Sequence, residues 1–221
     1  MYHRRLASRT ALFAALTAVM LSACGGTGSA ASTPPSAAST PTAGPSESTA
    51  FASTAFDRPF TLTLPAGWVV GEQSADMSSM FLPMGPNQGP RLGLDIQEVS
   101  KVFKDPCDPQ SSDIDPGPSA ADLAKWMGSW VPLHSTGPVA ATLSGFAALT
   151  VDEAFTGTPC ANANLWPTSG GYLDPPEHKR YFILEVRGTR VVVTLVGRDD
   201  TWDATLADGL AVLDGLQFAT K

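Results

Sequence analysis

Tyr181-Phe182-Ile183-Leu184-Glu185-Val186, then Arg187-Gly188-Thr189, then Arg190-Val191-Val192-Val193-Thr194-Leu195-Val196 is the stretch that decides the fold. Two runs rich in β-branched and aromatic residues flank a Gly-bearing break, so they read as an antiparallel hairpin whose turn is Arg187 to Thr189. The second run does not alternate apolar with polar residues. Such a continuous Val/Leu strand is expected to be buried on both faces, and therefore covered on each side.

Working outward toward the C-terminus, Asp199 or Asp200 is placed to cap a helix in which Trp202, Leu206, Leu210 and Leu213 repeat at helical spacing. Gly215 ends it and Leu216 to Phe218 reads as a short closing strand. Toward the N-terminus, Thr156 to Lys179 is a long Gly/Pro/Asn-rich loop, preceded by Pro138 to Leu143 and Phe146 to Phe155. The intervening Ser144-Gly145 fits a two-residue hairpin turn. Ser119 caps a helix with Leu123, Trp126, Met127 and Trp130 at the i, i+3, i+4, i+7 spacing of one buried stripe, an aromatic ligand platform at Trp126 and Trp130 being the alternative. Phe60 to Leu64, Trp68 to Val70, Met80 to Leu82 and Arg91 to Val99 are further short strands, with Pro65-Ala66-Gly67 as a turn. Antiparallel hairpins with two helices at separated points describe an α+β domain, an antiparallel β-sheet flanked by helices.

Leu64-Pro65-Ala66-Gly67-Trp68 at the end of the first strand, the two hairpins, and a last helix running into Leu213-Asp214-Gly215-Leu216-Gln217-Phe218 together resemble the Mog1/PsbP-like fold, and in particular actinobacterial lipoproteins of that group. The resemblance spans about Phe56 to Phe218. It implies an α/β/α sandwich and no reaction, its members serving as assembly factors or binding modules, and it transfers no catalytic residue.

The N-terminal quarter has a different composition. His3-Arg4-Arg5 and Arg9 precede the apolar run Ala11 to Leu21, which ends in Leu21-Ser22-Ala23-Cys24, the pattern of a secretory signal. Eleven helical residues reach only about 17 Å, against roughly 30 Å of hydrocarbon. The chain has no run of 18 apolar residues that would span. Leu-Ser-Ala-Cys resembles the lipobox of bacterial lipoproteins, which implies cleavage before Cys24 and lipid attachment at its sulfur. Two acyl chains suffice for stable anchoring. The Arg4-Arg5 pair suggests twin-arginine export, but Leu6-Ala7 departs from that motif and leaves the general secretory route as the default. From Gly25 to Ala55, 29 of 31 residues are Gly, Ser, Thr, Ala or Pro, too little apolar surface to offset the entropy of ordering. The expected organisation is a signal peptide over 1–23, lipidated Cys24 and a disordered linker over 24–55, and a globular domain over 56–221. The expected location is the extracytoplasmic face of the cell membrane.

Net charge is −7 for the 221 residues and becomes −10 once Arg4, Arg5 and Arg9 are removed. An acidic body of this kind argues against nucleic acid, whose capture needs Lys and Arg on phosphates, and against a polybasic membrane patch. With Cys24 acylated, Cys107 and Cys160 remain in an oxidising compartment and are expected to pair. A free thiol or a metal ligand is the alternative at either position.

No cofactor motif is found, and the residues that could carry chemistry are few. The expected mature chain holds two histidines, His134 and His178, and Ser144-Gly145 lies outside any Gly-x-Ser-x-Gly. Gly85-Pro86-Asn87-Gln88-Gly89 has no Lys and opens no helix, so it does not cradle phosphate. Asp105, Asp108, Asp113 and Asp115 offer oxygen ligands without EF-hand spacing and read as a solvated acidic loop. Trp166 and Tyr172 sit in the long loop without core periodicity and are the candidate contacts for a partner. The competing role for Trp166 is covering the sheet or the disulfide. His178, Lys179 and Arg180 are the compact basic patch, a candidate for anionic ligands. The sequence therefore points to a non-catalytic binding or assembly module whose partner is an envelope protein or small ligand. A hydrolase assembled around His134 or His178 is the alternative.

Overall fold

The computed structural model describes residues 47–83, 90–108, 110–130, 134–158, 160–168 and 171–219. Its first strands are β1 (Thr49–Ala52), β2 (Phe60–Leu64), β3 (Val69–Gln73), β4 (Met77–Pro83) and β5 (Pro90–Glu98), followed by the two-residue strands β6 (Val102–Phe103) and β7 (Asp113–Ile114). Helix α1 (Ala120–Ser129) leads to β8 (Thr136–Leu143), β9 (Phe146–Phe155), β10 (Ala163–Asn164), β11 (Tyr172–Leu173), β12 (Glu177–Val186) and β13 (Thr189–Arg198). Helix α2 (Trp202–Leu213) and β14 (Gln217–Phe218) complete the order.

Seven strands form one antiparallel sheet in the order β3-β4-β5-β13-β12-β9-β8, with the deciding hairpin β12/β13 inside it. Val186 pairs with Thr189, so the turn is the two residues Arg187-Gly188 (φ 53° and 76°) and Thr189 already belongs to β13. Ser144-Gly145 repeats the geometry at φ 53° and 79°. Two successive positive φ angles match the right-handed twist of the flanking strands, and Gly at the second position carries no steric cost. Val191, Val192, Val193 and Leu195 are each fully buried, as a strand covered on both sides requires.

On one face, Leu94, Ile96, Phe182, Leu184, Val193 and Leu195 pack under α2 and the small sheet β1-β2-β14. The buried positions of α2 are Thr205, Gly209, Val212 and Leu213, while Trp202, Leu206 and Leu210 are half-buried, so the helix sits rotated from the expected stripe. Gly209 explains the rotation. A Cβ there would stand 2.8 Å from Leu195 Cδ2, so the helix backbone approaches β13 at that point and the leucines straddle the contact. The expected Asp cap is replaced: a 3-10 turn, Asp199–Thr201, leads into α2, and Thr201 at the N-cap makes no side-chain capping bond to the helix backbone.

On the other face, α1 buries Leu123, Ala124 and Met127 against Val151, Tyr181, Ile183 and Val192. Its N-terminus is closed by a capping box in which Ser119 Oγ accepts from Asp122 N–H (3.1 Å) and Asp122 Oδ2 accepts from Ser119 N–H (3.0 Å). Trp126 and Trp130 are half-buried at the margin of this core. The Cys107–Cys160 disulfide (Cα–Cα 5.6 Å) joins the loop bearing β6 and β7 to the one bearing β10 and β11. Helices flank the sheet only in part, since each shares its face with strands or disulfide-linked loops.

The ordered fold begins before the expected boundary at Phe56. β1 lies inside the segment read as linker and pairs with β2 from Thr49 to Ala52, its Phe51 ring 5.9 Å from that of Phe60. One aromatic residue in a small-residue tract supplies the apolar contact that the averaged composition concealed. The signal, Cys24 and the linker up to residue 46 lie outside the described residues, as does all of Gly85 to Gly89. Among the described residues no helix is long and apolar enough to cross a membrane.

Candidate functional site

A cleft of about 580 Å³ opens where the C-terminal end of β5, the β12/β13 turn, the Asp113–Pro118 loop and the Trp166–Thr168 segment converge. Its walls are fixed by two polar side chains drawn from the sheet. Arg190, 7% exposed, donates from Nε to Val99 O (2.7 Å) and from Nη1 to the carbonyls of Gly117 and Ser119. One guanidinium thereby ties β13 to the end of β5 and to the loop preceding α1, and burial lowers its pKa from the ordinary value. Gln97, fully buried on β5, accepts at Oε1 from Trp166 Nε1 (3.1 Å) and from Thr168 Oγ1 (2.7 Å), which holds the opposite wall.

The lining carries four carboxylates, Asp76, Glu98, Asp113 and Asp115, against the cations Lys101 and Arg190. Glu98 lies 3.7 Å from Arg58 Nη1, whose Nε donates to Thr189 Oγ1 (3.1 Å). Burial raises the Glu98 pKa above its ordinary value, against the pull of Arg58. Lys101 stands 4.0 Å from Asp113. Asp115 Oδ1 accepts from Gly117 N–H (2.8 Å) and so bends its own loop. The surplus of acceptors suits a ligand that brings hydrogen-bond donors or positive charge.

The residues singled out in the sequence do not converge on this cleft. Trp166 contributes to its wall but is 1% exposed, its ring edge-on to Tyr181 at 5.7 Å. It is a covering residue and not an exposed contact. It escaped core periodicity because it lies between β10 and β11, outside any strand or helix. Tyr172 is 44% exposed but does not line the cleft. The basic patch is divided by the pleat of β12, whose successive side chains point to opposite faces. Lys179 is 3% exposed and donates to Tyr172 O, with Glu177 at 3.7 Å. Arg180 forks onto Asp152 at 2.6 and 2.7 Å. His178 lies half-buried with its ring 5.5 Å from that of Trp202.

His134 is exposed, and neither histidine lines the cleft. Asp105 accepts from Cys107 N–H (2.9 Å) and Asp108 from Gln110 N–H (3.0 Å), turns that shape the acidic loop. Among the described residues no group of His, Cys, Asp or Glu is placed to hold a metal ion.

The buried polar residues Arg190 and Gln97 carry little signal in the sequence: Arg190 opens an apolar run, whereas Gln97 falls in the polar phase of the Leu92, Leu94, Ile96 alternation and so reads as solvent-facing. Glu153 is a third such case. It is 2% exposed on β9 beneath the segment that follows α1, and burial pushes its carboxyl up to about 8 despite the Ser135 hydroxyl 3.3 Å away and the Lys179 charge. Asp95 is likewise pushed up to about 6 by burial.

Fold and cleft together define an α+β antiparallel-sheet domain with a preformed polar cleft at one end of the sheet. No family model and no curated protein matches the chain. Solved structures similar to it include LpqN of Mycobacterium tuberculosis, described as involved in cell envelope biogenesis, at 16% identity and a TM-score of 0.39, over 80% of this chain and 87% of LpqN. Another is cyanobacterial PsbP from Synechocystis sp. PCC 6803, at 13% identity and a TM-score of 0.46, over 83% of this chain and 99% of that one. A protein from Bacteroides thetaiotaomicron VPI-5482 is similar at 10% identity and a TM-score of 0.39, over 73% of this chain and 46% of its own length.

Proposed function

We propose that this protein is an extracytoplasmic lipoprotein, held to the cell membrane by lipid at Cys24, whose domain binds an envelope partner through the cleft and catalyses no reaction. The observation that carries the reading is the cleft's construction: about 580 Å³, walls fixed by Arg190 and by the Gln97–Trp166–Thr168 bonds, and carboxylates outnumbering cations. A preformed, acceptor-rich concavity suits a segment of a partner protein that carries Lys or Arg. The acidic body disfavours nucleic acid as that partner.

The test is photo-crosslinking in cells, with the reactive residue placed at Thr168 or Lys101 in the cleft and, as control, at exposed Ala207 on α2. A discrete adduct from the cleft positions alone supports the reading. Adducts at Ala207 only, or at none of the three, overturn it. Cys24→Ala is expected to release the protein from the membrane fraction or leave it unprocessed, and unchanged detergent partitioning and mass would contradict the anchor.

A further inference from the structure

Lys179 carries a positive charge into the core. It lies buried on the α1 side of β12 with Tyr181 and Ile183, and its ammonium donates to Tyr172 O with Glu177 3.7 Å away. The register of β12 with β9 sets it directly opposite Glu153, which shares that face with Val151 and Phe155. Cross-strand partners on one face have Cβ atoms about 4.5–5.5 Å apart, within the reach of a lysine. Among the described residues no ion pair joins the two, and Glu153 Oε2 makes no hydrogen bond. The ammonium therefore bonds a backbone carbonyl, while the carboxyl across from it has one oxygen without a donor.

That carbonyl belongs to β11, and β11 positions one wall of the cleft. β10 and β11 pair only at Ala163–Leu173 and Asn164–Tyr172, and the chain between them carries Trp166 and Thr168 of the lining. Leu165 N–H donates to Gly171 O (2.8 Å), and a Cβ at Gly171 would stand 2.7 Å from Trp166 Cδ1, so the residue next to Tyr172 packs directly on the indole. A displacement of β11 is passed on to Trp166, because contacts this close transmit strain. We infer that Lys179 is a proton-gated latch on the cleft: while Glu153 is protonated the ammonium holds β11 and fixes the wall, and loss of that proton draws the ammonium to Glu153, frees Tyr172 O and loosens the wall.

Burial drives the switch. A neutral carboxyl leaves Lys179 to Tyr172 O, whereas a carboxylate at the same place, out of reach of water, needs a cation. The other groups facing Glu153 are neutral: the Tyr181 hydroxyl from β12, Ser135 Oγ 3.3 Å from Oε1 in the segment before β8, and, from α1, the Met127 carbonyl 3.5 Å from Ser135 Oγ. Burial sets the transition at about 8. Asp95 of β5 and Glu177 of β12 share the face and also draw on the Lys179 charge. Asp95 is raised only to about 6, so it is already ionised where Glu153 titrates. As regulation of the cleft the latch rests on the partner-binding reading, but its test needs no partner.

Fluorine NMR of the detergent-solubilised full chain, labelled with 5-fluorotryptophan, reads the wall directly. The Trp166 resonance is identified by its loss in Trp166→Phe, and the titration runs from about pH 6 to about pH 9.5, below the ionisation of lysine. The inference predicts that this resonance shifts with a midpoint of about 8. Glu153→Gln cannot ionise and should hold the acid position throughout. Tyr181→Phe keeps the ring on Trp166 without the hydroxyl and should still titrate. Lys179→Met has nothing to hold Tyr172 O and should show the alkaline position at every pH. A Trp166 resonance that stays still, or that moves equally in Glu153→Gln, overturns the inference. So does a titration lost in Tyr181→Phe, since ionisation would then reach Trp166 through the hydroxyl. If Lys179→Met does not fold, the comparison of the native chain with Glu153→Gln and Tyr181→Phe still decides. A Trp166 titration without any partner adduct at the cleft would overturn the binding reading and leave the latch standing.

Discussion

Glu153 shows how a single residue contributes to the pH dependence of the domain. Its carboxyl sits at about 8 in the folded chain against an ordinary value of 4.5, so between those limits the folded state retains a proton that the unfolded chain has released. The contribution of Glu153 to stability is therefore fully present below about pH 4.5 and is lost as pH rises to about 8, a change of a few kcal/mol. Asp95, raised to about 6 from 3.8, adds a loss of the same sign over the lower part of that range. Glu153→Gln keeps the shape and removes the ionisation. Thermal melts of the two proteins across this range should show a steep decline for the native chain and a flatter one for the variant. Parallel profiles would mean that Glu153 is not the group responsible. Arg190 makes a second residue-scale prediction. Arg190→Met removes the guanidinium donor from the carbonyls of Val99 and Gly117, while Ser119 O keeps Leu123 N–H, so it should lower stability by about 2 kcal/mol in denaturant titration and loosen the Asp113–Pro118 wall. No loss would show that the guanidinium does not fasten the cleft.

At the scale of elements, the capping box of α1 links local sequence to the site, because the carbonyls of Gly117 and Ser119 that receive Arg190 belong to the turn that starts the helix. Ser119→Ala should cost about 1 kcal/mol in chemical unfolding, and a neutral result would contradict the cap. Ser119, the two hairpin turns and the Val-rich strand were all legible in the sequence, since each depends on near neighbours: a side-chain oxygen three residues from its amide, a Gly at the second turn position, an unbroken apolar run. β1 was not legible, because its place depends on Phe51 meeting Phe60 and not on its own composition. The rotation of α2 was hidden for the same reason, since Gly209 acquires meaning only against Leu195 of β13. The cleft was the least legible feature. Its walls come from residues as far apart as Asp76 and Arg190, and the bonds that hold them, such as Trp166 to Gln97, cross 69 positions of sequence.

For the molecule as a whole, the disulfide and the sheet divide the work of stabilisation. Cys107–Cys160 ties together two loops whose paired strands are only two residues long and whose Val102, Leu165, Trp166 and Leu173 join one of the two apolar cores, while the other core lies on the opposite face of the sheet. Reduction should lower the melting temperature by several degrees, consistent with about 2–4 kcal/mol, while far-ultraviolet dichroism stays native. Collapse of the sheet on reduction would show that the cores are insufficient alone. The central claim is that the domain acts by holding a partner in the cleft through its carboxylates. Its most direct measurement is the yield of the Thr168 photo-adduct in cells when Asp113 and Asp115 are both replaced by Lys. The claim predicts that the adduct falls at least about tenfold in a variant that remains folded, with a melting temperature lowered by the loss of the Asp115–Gly117 bond. An undiminished adduct in the stably folded double variant would contradict it.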